Sequence, residues 1–162
     1  MAQATGYSRT QIALHWGMAL LVLGQFVFNE AIVTAFGAAQ KGQMPAMTPL
    51  VWGHIIAGIA ILLLVMVRLQ VRVARGVPAL PNGSPVWLVI ASRLGHLVLY
   101  ALLFVTPLAG IVAWFGGSGV AGSAHSLLRI ALFFVVAAHL LGALFHLLIR
   151  RDGVTQRMFR AG

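Results

Sequence analysis

Four stretches of the chain are almost wholly apolar, and segments rich in glycine, proline and polar residues separate them. A helix rises about 1.5 Å per residue, so about 20 apolar residues cross the roughly 30 Å of membrane hydrocarbon. The pattern predicts membrane-spanning helices over about 12–33, 50–69, 88–114 and 124–149. Short connections between long helices favour antiparallel neighbours. The predicted fold is therefore all-α: an integral membrane four-helix up-down bundle, forming a single membrane domain over residues 1–162.

The punctuation between the runs sets their ends. Residues 1–8 are a short polar start, followed by Arg9, Thr10 and Gln11. The apolar run from Ile12 to Phe28 is longer than the core of a signal peptide and carries His15 and Trp16 at its start, so it reads as an uncleaved first span continuing to about Val33. Thr34 to Pro49, rich in Gly, Pro and Gln, reads as a loop, with Pro49 suited to the first turn of the second helix. Arg72, Arg75, Gly76, Pro78, Pro81, Asn82, Gly83, Ser84 and Pro85 form a breaker cluster. The third helix opens near Val86 and Trp87 and runs to Trp114, with Pro107 as a predicted kink. Gly116, Gly117, Gly119 and Gly122 read as a short link, with Ser123 as the N-cap of the fourth helix.

Composition agrees with a membrane solvent: 60% of residues are hydrophobic, only 8% are charged, and the mean hydropathy is +0.97. The formal charge of +9 comes from 11 Lys and Arg set against Glu30 and Asp152 alone. In a soluble chain such a balance would suggest nucleic acid. Here the arginines stand at span ends, which points to topology and to anionic lipid head groups, with no nucleic-acid partner. Arg9, Arg72, Arg75, Arg150, Arg151, Arg157 and Arg160 fall on one side, while the other has Lys41, with Arg129 near its end. The positive-inside rule then places both termini in the cytoplasm. Trp16, Trp52, Trp87 and Trp114 fit head-group anchoring or packing on a cofactor.

Against this apolar background the six histidines stand out. An ionisable ring facing hydrocarbon is costly, so such residues face the bundle interior and mark function, although any single one also fits an interhelical hydrogen bond. His125 and His139 lie fourteen residues apart on the fourth helix. That is nearly four whole turns, or about 21 Å along one face. Depth matching in an up-down bundle sets His54 level with His125 and His15 level with His139. Two such pairs are what two six-coordinate haems require. Pairing His15 with His146 and His54 with His139 would leave the two fourth-helix ligands only about 10 Å apart, crowding two macrocycles. His96 and His146 fall in the inner half, as hydrogen-bond partners of haem propionates or a quinone, or as interhelical contacts.

Other chemistries fit less well. No cysteine is present, which excludes disulfides, iron–sulfur clusters, thiolate-ligated haem and covalent haem attachment, so any haem is held noncovalently. A zinc shell lacks donors, since only two carboxylates exist. There is no carboxylate pair, no Ser-His-Asp set and no phosphate-binding glycine motif. Gly17 and Gly24, seven residues apart on the first helix, offer close approach to a macrocycle or to another helix.

In their order and spacing these residues resemble the bacterial cytochrome b561 family, diheme membrane cytochromes related to the cytochrome b subunits of formate dehydrogenase and nickel–iron hydrogenase. The resemblance rests on Tyr-Ser-Arg-Thr-Gln-Ile-Ala-Leu-His-Trp at 7–16, Gly-His-Ile-Ile-Ala-Gly-Ile at 53–59 with Val-Arg at 67–68, and Gly-His-Leu-Val-Leu-Tyr at 95–100. His125, His139, His146 and the tail Arg-Asp-Gly-Val-Thr-Gln-Arg-Met at 151–158 continue it over nearly the whole chain. It implies two noncovalent b-type haems in a bacterial inner membrane, ligated by His15 with His139 and His54 with His125. It also implies electron exchange with a ubiquinone-type quinone from an electron donor that the sequence leaves open. Ser126 stands where relatives often have an acidic residue, and the outer loop at about Gly116 to Ser123 looks shortened.

Three functions follow as expectations. The first is a transmembrane electron-transfer cytochrome wired to quinone, with Arg9, Arg72, Arg75 and Arg93 as inner-side propionate or quinone contacts. The second is a superoxide oxidase passing electrons to ubiquinone, with Lys41 and Arg129 attracting the anion. The third is a membrane anchor subunit wiring a dehydrogenase or hydrogenase to the quinone pool.

Overall fold

The computed structural model of the protein describes residues 6–81 and 83–162; Met1 to Thr5 of the polar start and Asn82 of the breaker cluster lie outside them. The chain folds into α1 (Arg9–Val27), α2 (Glu30–Gln40), α3 (Pro49–Arg75), α4 (Val86–Phe115) and α5 (Gly119–Leu144). A π-helical turn, Phe145–Arg150, continues α5, and a 3₁₀ turn, Thr155–Met158, lies in the tail. Four of these helices, α1, α3, α4 and α5 with its π extension, are long and apolar enough to cross a membrane. They form an up-and-down helical bundle in which α1 packs on α3, α3 on α4 and α4 on α5.

α1 starts where a capping box allows it. The Ser8 hydroxyl accepts from the Gln11 amide at 3.2 Å, and the Gln11 side chain accepts from the Ser8 amide at 2.9 Å. The helix ends at Val27, short of the expected Val33. Asn29 is the reason: its side chain donates to the Phe26 carbonyl at 2.6 Å, competing with the helical ladder. Glu30 then sits in the first turn of a new helix, where the dipole favours an anion. Residues 34–40, expected to be loop, are therefore helical. α2, with 11 residues, is too short to span. It caps the far end of the bundle, with Phe36 beside Trp114 at 6.5 Å and Gln40 donating to the Gly117 carbonyl at 3.1 Å.

Tertiary contact also moves the other boundaries. α3 is capped by Thr48, opens on Pro49 as expected, and runs past Leu69 to Arg75 before Gly76 takes a φ of 72°. Arg72 and Arg75 are thus helical, in the last turn, where cations suit the dipole. α5 begins at Gly119 behind an N-cap at Ser118, not at Ser123, whose hydroxyl instead donates to the Gly119 carbonyl at 3.1 Å. Gly119 and Gly122 are helical behind the Ser118 cap, and their lack of a Cβ lets side chains of α2 approach. A Cβ at Gly122 would meet the Phe36 ring at 2.5 Å, and one at Gly119 would meet the Gln40 amide oxygen at 2.8 Å.

The buried apolar centre is small: Met18, Val22, Ile61 and Val65, with Tyr100, Leu103 and Val136 packed on it. Large apolar side chains such as Leu20, Leu127 and Phe134 point outward. In water that surface would be a liability; in lipid it is the contact with solvent.

Candidate functional site

The helix order brings the histidines of different helices together at two depths. At the far end, His54 of α3 faces His125 of α5, with ring centroids 6.3 Å apart. At the end bearing both termini, His15 of α1 faces His139 of α5 at 6.2 Å. Two imidazoles bound trans to one metal, each by a bond of roughly 2 Å, hold their ring centres about 6 Å apart. Both pairs match that spacing. His96 of α4 lies closer to His139, at 5.3 Å, and its Nδ1 is within 2.6 Å of the Ser92 carbonyl of its own helix. That contact is too short for a trans partner, so His96 stands beside the pair rather than in it.

At the far pair the His125 ring is held by neighbours on α4, while the His54 ring stands beside a cavity. His125 Nδ1 lies 2.8 Å from the Thr106 carbonyl of α4, which as an acceptor fixes the proton on Nδ1 and leaves Nε2 as the electron-pair donor. Gly110, one turn further along α4, makes room for the ring: a Cβ there would stand 3.0 Å from His125 Cε1 and Nδ1. His54 Nδ1 is buried without a partner, and the Gln25 side chain donates to the His54 carbonyl at 3.0 Å. Gly24, Gln25, Phe28, Leu50, Gly53 and His54 line a cavity of about 180 Å³ between α1 and α3. A planar cofactor needs such a cradle beside its ligand, and Gly24, expected to allow close approach, lines it. Gly17 also opens onto unfilled space.

The arginines divide differently from expectation. Arg9 and Arg93 are exposed. Arg75 is exposed at the end of α3. Arg72 is half-buried, with its guanidinium 5.7 Å from the centre of the Tyr100 ring. Arg68, absent from the expected set, donates through Nε to the Tyr100 hydroxyl at 3.0 Å, while its Nη1 is buried with no partner. Its signal in the sequence is spacing: Arg68 follows His54 by fourteen residues, as His139 follows His125. Burial holds the Tyr7 phenol above its ordinary value in spite of Arg72 and Arg68 nearby.

His146 is occupied elsewhere. It is buried in the π-turn, and its Nδ1 is 2.8 Å from Asp152 Oδ2, which also accepts from Arg150 Nε at 3.1 Å. Burial would raise the Asp152 carboxyl, but the bonds from His146, the Val154 amide and Arg150 outweigh it and hold it below its ordinary value. Beyond Asp152 the tail crosses the end of the bundle. Trp16 Nε1 donates to the Met158 carbonyl at 2.8 Å, the Trp16 and Phe159 rings lie 5.1 Å apart, and Arg157 donates to the Ala79 carbonyl at 2.7 Å. Trp16 therefore ties α1 to the tail directly beside His15. Trp52 and Trp87 stay on the surface.

Among the described residues no group of three or more His, Asp or Glu side chains converges on one point as a metal-ion shell. What the bundle offers is paired imidazoles, the donor set of a planar macrocycle whose own nitrogens fill the remaining positions.

The family model for prokaryotic cytochrome b561 matches residues 6–161. Cytochrome b562 of Cereibacter sphaeroides is 36% identical over 160 residues, covering 99% of each chain. The probable superoxide oxidase CybB of Yersinia pestis is 29% identical over 174 residues, covering 94% of each. Cytochrome b561 homolog 1 of Escherichia coli is 28% identical over 173 residues, covering 94% of this chain and 96% of its own.

Proposed function

The chain belongs to the prokaryotic cytochrome b561 family of multi-pass bacterial membrane cytochromes, which bind haem b, and on that premise we propose that it carries two haems and conducts electrons between a donor and a membrane quinone. The observation that carries this reading is the recurrence of one geometry at two depths: His54 with His125 at 6.3 Å and His15 with His139 at 6.2 Å. The fourteen-residue step along α5 separates the two by about 21 Å of rise. Bound there, haem supplies reversible one-electron chemistry at iron. The protein's part is to hold the axial nitrogens, keep water out and set the local charge.

His125 performs its part through Thr106, whose carbonyl holds the Nδ1 proton and so aims Nε2 across the bundle toward His54. His54 with His125 and His15 with His139 would each hold a haem from both sides, and such a group would supply electron transfer in preference to oxygen binding. The excess of arginine at the end bearing the termini supports a cytoplasmic location for both. His96, 5.3 Å from His139 and outside its trans position, is available to hydrogen-bond a quinone head group near that pair.

A second reading is superoxide oxidation at the far end. One relative carries the name probable superoxide oxidase. The half-buried Arg129, one turn beyond His125, places a positive charge that acts on His54, and a cation there would draw in a small anion.

Haem quantitation on the purified protein, followed by single substitutions, tests the main reading. His54→Ala and His125→Ala should each remove the same haem, and His15→Ala and His139→Ala the other. Loss of different haems by His54→Ala and His125→Ala would sink the pairing. Mixing the reduced protein anaerobically with a ubiquinone analogue tests the partner, and an unchanged haem spectrum would refute it.

A further inference from the structure

The terminus-bearing end of the bundle contains an arginine, Arg68, that meets no side-chain carboxylate among the described residues. Arg68 lies within the helical span of α3, fourteen residues or about 21 Å of rise from His54, the same step that separates His125 from His139 on α5. Its guanidinium reaches across to Tyr100 of α4, the helix that also carries His96, whose ring stands 5.3 Å from His139. The groups around it are Tyr7 ahead of α1, His15 of α1, Arg72 of α3, Tyr100 and His96 of α4, and His139 of α5. None is a carboxylate. Of the two acids in the chain, Glu30 begins α2 at the opposite end and Asp152 is held by His146 and Arg150.

A guanidinium has five N–H donors and stays charged. One of the five, on Nε, reaches the Tyr100 hydroxyl at 3.0 Å, and that phenol oxygen is neutral; the buried Nη1 reaches nothing. Arg68 is half-buried, and a charged N–H kept from water without an acceptor is unfavourable, which one bond to a neutral phenol does not offset. The unsatisfied donor leaves room for an anion, and the planar fork of arginine matches a carboxylate.

We infer that Arg68 is the carboxylate anchor of the site between His15 and His139, where it binds a propionate of the haem held by that pair. The inference rests on the two-haem reading. Arg68 is a positioning residue: it sets the rotation of the ring in its plane, and its positive charge favours the reduced iron, raising the potential of this haem relative to the far one.

The test is a redox titration of the purified two-haem protein combined with redox-difference infrared spectroscopy of the propionate carboxylate stretch. Arg68→Met should lower the midpoint of one haem only, shift its carboxylate band and weaken its retention, leaving the far haem as an internal control of folding. Arg68→Lys keeps the charge and should restore most of the potential. If Arg68→Met loses both haems, Arg68→Lys decides: one lowered midpoint with a shifted carboxylate band supports the anchor, and two unchanged haems overturn it. An Arg68→Met protein with both midpoints and the carboxylate band unchanged also overturns it, as does one whose only defect is a raised KM for quinone. Wild-type protein lacking haem at the His15–His139 pair would instead bring down the two-haem reading itself.

Discussion

Gly110→Val tests whether the His125 ring is held by shape. In the structure a Cβ at position 110 stands 3.0 Å from both Cε1 and Nδ1 of His125, against a favourable carbon contact of about 3.5–4 Å. Valine adds two further methyls, so the ring has to swing away from α4 and its 2.8 Å bond to the Thr106 carbonyl is lost. Overpacking of this kind costs about 1–3 kcal/mol, and the hydrogen bond adds about 1 kcal/mol. Together these amount to about 2–4 kcal/mol against the ligating position, or roughly a 30- to 700-fold weaker hold on the far haem at 1.4 kcal/mol per factor of ten. The assay is haem transfer to excess apomyoglobin, followed by the visible spectrum; under the proposed two-haem reading the wild type should release its haems in two phases. The variant should release one haem much faster and keep the His15–His139 haem at its wild-type rate. Wild-type release of both, or selective loss of the haem at the terminus-bearing end, would refute the reasoning. Gly110→Ala, in which the ring need move only a few tenths of an ångström, should fall between.

Two further outcomes follow from the same geometry. Gly24→Leu fills the cavity of about 180 Å³ beside His54; it should reduce haem content from two to one per chain while the helical circular dichroism stays unchanged, and full occupancy would contradict the cradle. The Asp152 carboxyl is held below its ordinary value of 3.8, so its contribution to stability is present above that value and is lost as the pH falls through the lower, folded value. Thermal stability in detergent should therefore hold down to about pH 4 and drop below it. Asp152→Asn should be less stable at neutral pH and should lose that acid-side drop, as read from unfolding curves across pH; an unchanged profile would show that the His146 clasp contributes nothing.

The apolar runs alone determined that four helices span the membrane and that the fold is helical, because a lipid solvent leaves the backbone few alternatives. Which histidines lie near one another was also legible: an up-down order and a fixed rise per residue suffice to set His54 level with His125 and His15 level with His139. Charge at the loops likewise marked the end bearing the termini, since Lys and Arg are sparse elsewhere.

What hydropathy does not record is which polar contact interrupts a helix or completes a site. The break at Asn29 depends on one side-chain amide reaching the Phe26 carbonyl at 2.6 Å, and α2 packs on α3 with Phe36 and Gln40 reaching the start of α5. Gly110 and Thr106 look like ordinary residues of an apolar span until α5 brings His125 against them. His146 shares a sequence stripe with His139, yet the π-turn and the left-handed Arg151, with a φ of 50°, turn the chain so that Asp152 takes its Nδ1. Arg68 shows the same division: its fourteen-residue spacing from His54 was on view in the sequence. Only the packed structure reveals that its Nη1 is buried without a partner among the described residues, because an absent partner is a property of three dimensions.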